Sequence, residues 1–238
     1  MSWRSITYDT RMIRGDPMLI LSLSAPFIFW ALMQYLFPWL EIQFQALWNI
    51  DITPWYRPVG TFFMMLIPMM FGMVYGFILL DERDGGIITA ISVTPTGKSG
   101  YLELRLGLPM IFSLVFVLLF QVLLQLHAPL GILQILVISG LIATQALLLL
   151  LFLGAFAHNK VMGMAISKGF GIILMGPVLD YILPAPYNWI GACSPLFWAG
   201  RAFLAEQPGS FWLYFGIATI FHGLLLWILF RKFLSRSD

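Results

Sequence analysis

Charge is scarce in this 238-residue sequence, and its scarcity excludes most soluble folds. Asp, Glu, Lys and Arg make up 10% of the residues, whereas hydrophobic residues make up 60%. An average soluble domain is about a quarter charged. The net charge of +2, spread over scattered basic residues, also gives no basis for nucleic-acid binding. Lipid must therefore be the solvent for most of the apolar surface.

Cysteine and histidine are scarce as well. The single cysteine, Cys193, cannot form an internal disulfide. The three histidines, His127, His158 and His222, are expected at different depths or on different sides of the membrane, which argues against a shared metal site. No Asn-x-Ser/Thr acceptor occurs, as is common in a protein of a bacterial cell membrane. We expect no metal to be bound by this chain.

Long apolar runs are abundant, and they predict an all-α integral membrane protein. A bilayer core needs roughly 20 helical residues, and continuous rather than alternating apolar runs favour helices over strands. Six runs qualify or nearly qualify: 17–37, 58–80, 106–126, 129–157, 161–183 and 210–230. We predict one transmembrane domain over 1–238, with an amphipathic interfacial helix at 1–15, a cytoplasmic loop at 81–105 and an outer re-entrant segment at 184–209.

The distribution of Lys and Arg predicts the orientation of these spans. If both termini are cytoplasmic, the inner segments hold eleven of the thirteen basic residues, and only Arg57 and Arg201 lie outside. Cytoplasmic loops carry such an excess of positive charge. The sequence therefore predicts a multi-pass protein of the bacterial plasma membrane with both termini in the cytoplasm. Asp180, near the outer end of the fifth span, is expected at the membrane interface.

Candidate enzymatic motifs are weak. Gly97-Lys98-Ser99 resembles the end of a phosphate-binding loop, but Ser92 occupies the position of the required first glycine. A serine hydrolase would need a nucleophile beside a histidine base. Ser139 is expected mid-span without a polar neighbour, Ser194 lies in the outer segment, and His222 lies in the last span. We predict that the chain is not an enzyme.

The inner loop 81–105 is the most polar stretch of the chain. Its acidic start is followed by Gly85-Gly86 and a short amphipathic segment with Ile87, Ile88 and Ile91 on one side, which Thr94-Pro95 ends. Such an apolar side is expected to dock into the groove of a partner protein. The alternative is that the isoleucines lie in the lipid headgroup region.

This loop resembles that of the permease subunits of type-2 ATP-binding-cassette (ABC) exporters. The matching residues are Glu82, Asp84, Gly86, Val93, Thr94, Pro95, Tyr101 and Leu102. The amphipathic N-terminus, the six spans and the outer segment with Ser194, Pro195 and Arg201 fit the same family in order. Asp84 replaces a frequent glutamate, and Gly85 stands where a charged residue is common. The stretch 60–101 is also similar to permeases of small drug-export systems, fluoroquinolone exporters among them.

The resemblance implies a half-transporter whose coupling helix, about 86–93, sits in a groove of a separate cytosolic ATPase. Two ATPases and a second permease, identical or paralogous, would complete the unit. ATP and Mg²⁺ would be bound by the ATPase, so that this chain itself binds no cofactor. The expected cargo is a hydrophobic or amphipathic small molecule or peptide.

Two points stay open in the sequence. A membrane substrate-binding subunit of an ATP-driven vitamin-uptake transporter would also have six spans, although the amphipathic loop favours the exporter. The Gly72-x-x-x-Gly76 motif permits close helix packing, either between two copies of the chain or within one.

Overall fold

The computed structural model describes residues 14–15, 17–87, 97–126 and 130–237. Six helical stretches among these residues are long and apolar enough to cross a membrane. This confirms the predicted all-α fold with six spans. Most of the predicted interfacial helix (1–15) and the segment 88–96 lie outside the described residues.

The α-helices of the described residues are numbered here in chain order. Their bounds are α1 Pro17–Ala31, α2 Phe37–Trp48, α3 Tyr56–Asp84, α4 Gly97–Leu123, α5 Ile132–Phe156, α6 Lys160–Phe170, α7 Met175–Ile182, α8 Pro195–Leu204 and α9 Pro208–Ser237. The first span comprises α1 and α2, the fifth comprises α6 and α7, and α3, α4, α5 and α9 are each one span.

Helices α3 and α5 form the centre of the bundle. In their most apolar stretches 78% and 61% of the residues are buried, against 17–33% in the other four spans. Gly72 lies against the backbone of Ala146, and a Cβ atom placed on Gly72 would be 2.5 Å from the Ala146 carbonyl oxygen. Gly76 faces the side chain of Leu153 in the same way. The glycine motif of α3 therefore lies at a contact within the chain.

The first span is longer than predicted. The sequence predicts a first span over residues 17–37, but the helix continues to Trp48. A five-residue π turn, Leu32–Leu36, precedes Pro38 and shifts the hydrogen-bond pattern, so that the Phe37 N–H donates to the Leu32 carbonyl. Such a bulge accommodates a proline, which has no N–H to donate. Pro38 therefore does not end the helix.

The helix ends instead at Asn49, which has the left-handed backbone angle φ of 53°. Glu41, a charged residue within this longer helix, accepts a hydrogen bond from the Thr53 hydroxyl at 2.9 Å. A single carboxylate with a hydroxyl partner is compatible with a helix near the membrane surface, because the hydrogen bond offsets part of the cost of leaving water.

A polar contact joins α4 to α5. The prediction that Ser139 has no polar neighbour is wrong: the Gln121 amide donates to the Ser139 hydroxyl. The hydroxyl in turn donates to the Ile135 carbonyl at 2.6 Å. Both Gln121 and Ser139 are fully buried. A hydrolase would still need a base at this serine, and its observed partner is an amide.

The segment between the fifth and sixth spans is more regular than its four prolines suggest. It contains a 3-10 turn, Tyr187–Cys193, and the helix α8. One side of α8 is buried in the protein and includes Leu196, Phe197, Ala199, Ala202 and Phe203. Proline at the first position of a helix has a favourable backbone angle and needs no hydrogen-bond acceptor. Pro195 therefore starts a helix here and does not interrupt one.

Candidate functional site

Three consecutive residues at the end of α3 connect it to three other helices. Successive residues on a helix point about 100° apart, so that Asp81, Glu82 and Arg83 project in three directions. Their partners lie at the start of α4, at the end of α5 and at the start of α6. We call these three residues and their partners the helix junction. It lies at the bundle end that the sequence predicts to be cytoplasmic.

Glu82 forms the buried part of the junction. Its carboxylate accepts hydrogen bonds from both Nε and Nη2 of Arg105, the first at 2.7 Å. The side chains of Arg105 and Glu82 are only 8% and 4% exposed. The Tyr101 hydroxyl donates to the same carboxylate. Burial, followed by the charge of Glu82, raises the pKa of Tyr101, so the phenol stays protonated and remains a donor.

Arg83 and Asp81 form the other two sets of contacts in the helix junction. The Arg83 guanidinium donates to the carbonyl oxygens of Gly154, at 3.1 Å, and Ala157. The last carbonyls of a helix have no partner within it, and Arg83 supplies one for the end of α5. Asp81 accepts from the Lys160 ammonium at 2.8 Å. Both side chains of this ion pair are about a quarter exposed, so the pair contributes less to stability than the buried Glu82–Arg105 pair.

A tight turn follows the junction. Asp84 is exposed and ends α3, and the Gly85 N–H donates to the Asp81 carbonyl at 2.9 Å. Gly86 has a φ of 69°, a left-handed angle that glycine adopts without strain. The chain then continues through Ile87, which is half-buried. The other predicted coupling residues lie outside the described residues: Ile88, Ile91, Val93, Thr94 and Pro95.

The helix junction holds the ends of four helices together beside the turn at Gly85 and Gly86. The sequence indicates Glu82 and Tyr101 through the family resemblance, but it does not indicate their partner Arg105. Residues 82 and 105 lie 23 positions apart, on either side of a loop, and no local periodicity links them.

The predicted re-entrant residues lie together at the opposite end of the bundle. Ser194 caps α8 by accepting from the Leu196 N–H, and its hydroxyl donates to the Ile173 carbonyl at 2.6 Å. Pro195 is the first residue of α8. Arg201, near the end of α8, forms two hydrogen bonds to the Asp180 carboxylate, at 2.8 and 2.7 Å.

Asp180 is therefore an ion-pair partner within the protein, and not only an interfacial residue as the sequence suggested. The Arg201 guanidinium also lies 4.5 Å from the ring centres of both Trp189 and Phe197. Such cation–π contacts stabilise a partly buried cation. The hydrogen bonds to Asp180 raise the pKa of Arg201, which remains charged. The sequence indicated Arg201 but not this partner, which lies 21 residues earlier.

Comparisons with known proteins place the chain among membrane permeases. Residues 9–230 match the family described as "Fluoroquinolones export permease protein Rv2686c-like". Two relatives from Mycobacterium tuberculosis, the fluoroquinolones export permease proteins MT2760 (strain CDC 1551 / Oshkosh) and Rv2686c (strain ATCC 25618 / H37Rv), are each 28% identical over 232 residues. Each alignment covers 96% of this chain and 92% of the relative. No solved structure matches significantly.

The match spans all six membrane helices and both ends of the bundle described above. It supports a transmembrane permease subunit of an exporter and does not favour the vitamin-uptake alternative. The chain thus belongs to the Rv2686c-like family of fluoroquinolone export permeases.

Proposed function

We propose that this permease is the membrane half of an ATP-driven exporter, and that residues 85–96 dock into a separate cytosolic ABC ATPase. The helix junction is the observation that carries this proposal. It fixes α3, α4, α5 and α6 at the base of the docking segment by ionic and hydrogen bonds. A segment that only lay in the headgroup region would not require a buried ion pair beneath it.

The energy source in this proposal is ATP bound by the partner. Closure of two ATPases around ATP would displace the two docking segments, provided that ATP binds the closed state more tightly than the open one. The junction would pass this displacement to four helices at once. A second permease, identical or paralogous, would supply the other half of the path, and both termini would lie in the cytoplasm.

The cargo is proposed to be an amphipathic small molecule of the fluoroquinolone type. The two relatives are named as fluoroquinolone export permeases. In keeping with this, apolar side chains of α3 such as Met64, Met65 and Phe71 pack at the centre of the bundle. A fluoroquinolone carries a flat aromatic body, which such surfaces accommodate.

Affinity purification of the tagged permease from native membranes tests the central point. We expect an ABC ATPase in near-equal amount. Replacing Ile87 and Ile91 with Asp should abolish its recovery, because charged side chains would oppose docking of an apolar face. The control is Ile190→Asp, since Ile190 is 65% exposed and lies at the opposite end of the bundle. Unchanged recovery with the Ile87/Ile91 variant would refute the docking role.

A second test concerns the site of ATP binding. Lys98→Ala should leave ATP binding by the purified complex unchanged, because the nucleotide is expected on the ATPase. Loss of ATP binding in this variant, with the ATPase still present, would instead indicate a phosphate-binding loop in the permease.

A further inference from the structure

An apolar cavity of about 310 Å³ lies between the start of α3 and the end of the fifth span. Val59 and Phe62 of α3 line one side, and Pro177 and Val178 of α7 line the other. Its wall is almost entirely apolar, and its volume is at the lower end of the range of small-molecule sites. We call it the apolar compartment. It is large enough for a fused aromatic ring system.

A second, more open cavity of about 480 Å³ adjoins the first. Asp180, Arg201 and Glu206 line it, and we call it the polar compartment. Tyr181 and Leu204 line both compartments, so the two share a wall. An apolar space joined to a charged one is the shape that an amphipathic molecule requires.

The charges of the polar compartment are unequal. Two carboxylates and one guanidinium line it, and Asp180 and Arg201 neutralise each other through two hydrogen bonds. The exposed carboxylate of Glu206 forms no direct ion pair with any described residue. Arg57 is close enough to Glu206 to attract it, but Arg57 does not line the polar compartment. Glu206 is thus the lining carboxylate that has no ion pair among the described residues and can face a bound cation.

We propose that the two compartments together bind an amphiphile whose flat apolar body occupies the apolar compartment and whose protonated amine lies against Glu206. The proposal rests on the proposed export function and adds a site and a charge preference to it. Glu206 favours ligands that carry the amine. A carboxylate on the same ligand adds nothing to binding, because the one lining guanidinium is already paired with Asp180.

Three probes that share one ring system and differ in their charged groups test this preference. Ciprofloxacin carries both an amine and a carboxylate, its methyl ester retains only the amine charge, and its N-acetyl derivative retains only the carboxylate. Binding is measured by probe fluorescence anisotropy on the purified permease in lipid nanodiscs, with empty nanodiscs subtracted. We expect similar affinities for ciprofloxacin and its ester, and about fivefold weaker binding of the N-acetyl derivative, as for one partly exposed ion pair.

Two variants with a matched control locate the site. Glu206→Gln is an exposed, conservative change that should leave folding intact and should abolish the preference for the amine. Val178→Trp fills the apolar compartment and should weaken binding of all three probes about tenfold or more. Ile172→Trp places the same bulk on the same span at a position that is 73% exposed and lines neither compartment, and should change nothing.

The outcomes separate this inference from the proposed function. Equal binding of the three probes, an amine preference that survives Glu206→Gln, or wild-type binding by a folded Val178→Trp variant would each overturn the site. No ATPase is present in the binding assay. Failure to recover an ATPase from membranes would therefore contradict the proposed function without affecting the binding result. Likewise, a failed binding test would overturn the site without contradicting the proposed function.

Discussion

At the scale of the residue, the most consequential contact is the buried pair of Glu82 and Arg105. Two charges taken out of water together gain little net stability. Removing one of them is costly, because the other stays buried without its partner. The pair therefore acts less as a source of stability than as a constraint on where α3 and α4 end. The Tyr101 hydroxyl adds a third point to this constraint.

This reasoning predicts that Glu82→Ala destabilises the permease by roughly 3 kcal/mol or more, since Arg105 loses its counter-ion. The double variant Glu82→Leu/Arg105→Leu should recover much of the loss, because neither charge remains. Thermal unfolding of the detergent-purified proteins checks both. A single variant that melts like the wild type would show that water reaches Arg105 and that the site is not buried.

The same double variant separates stability from force transmission. If the ion pair transmits displacement, cargo-stimulated ATP hydrolysis by the assembled exporter should stay low even though the melting temperature recovers. Full recovery of both would mean that the pair only holds the fold together.

At the scale of the element, the central contact is that between α3 and α5. Gly72 lies against the backbone of Ala146, and a backbone cannot move aside as a flexible side chain can. The two helices can approach this closely only because Gly72 has no Cβ atom. Around it, the exposed apolar side chains of α1, α6, α7 and α9 are available to lipid or to a second permease.

We therefore predict that Gly72→Ala destabilises the bundle by about 1–3 kcal/mol, the usual cost of overpacking. Gly140→Ala in α5 is the control, since a Cβ at Gly140 meets no other atom within 4 Å. Detergent melting curves of the two variants provide the comparison. Equal melting temperatures would show that α3 and α5 can separate at no cost.

The elements also show how far the sequence predicts the structure. Hydropathy locates all six spans, because lipid imposes a length and an apolar character that are local properties of the chain. The predicted end of the first span, at residue 37, is wrong, because the amino-acid composition does not reveal the π turn before Pro38. The Glu82–Arg105 pair and the Asp180–Arg201 pair are not predicted from the sequence either, since both depend on how separate helices are placed beside each other.

At the scale of the whole molecule, the orientation in the membrane decides which surroundings each end of the bundle meets. The helix junction and the two compartments lie at opposite ends of the bundle, as the alternation of the spans requires. In the proposed exporter the junction faces the ATPase in the cytoplasm. The compartments then lie toward the outside, where cargo leaves.

Cysteine labelling can establish this orientation with an internal reference. Cys193 is exposed and lies in the segment between α7 and α8. We expect a membrane-impermeant maleimide added to intact cells to label Cys193 and to leave Ser99→Cys unlabelled in a Cys193→Ser background. In inside-out vesicles the accessibility should be reversed. Labelling of Ser99→Cys from outside would invert the topology and place the compartments in the cytoplasm.

The helix junction also bears on which changes in chain length the family can tolerate. Because Asp81, Glu82 and Arg83 each serve a different helix, deleting one residue between Gly76 and Asp81 would turn the end of α3 by about 100°. Arg83 would then face Arg105, base against base, and Asp84 would face the carbonyls at the end of α5, acid against carbonyl. Insertions and deletions should consequently be absent from this stretch in functional relatives.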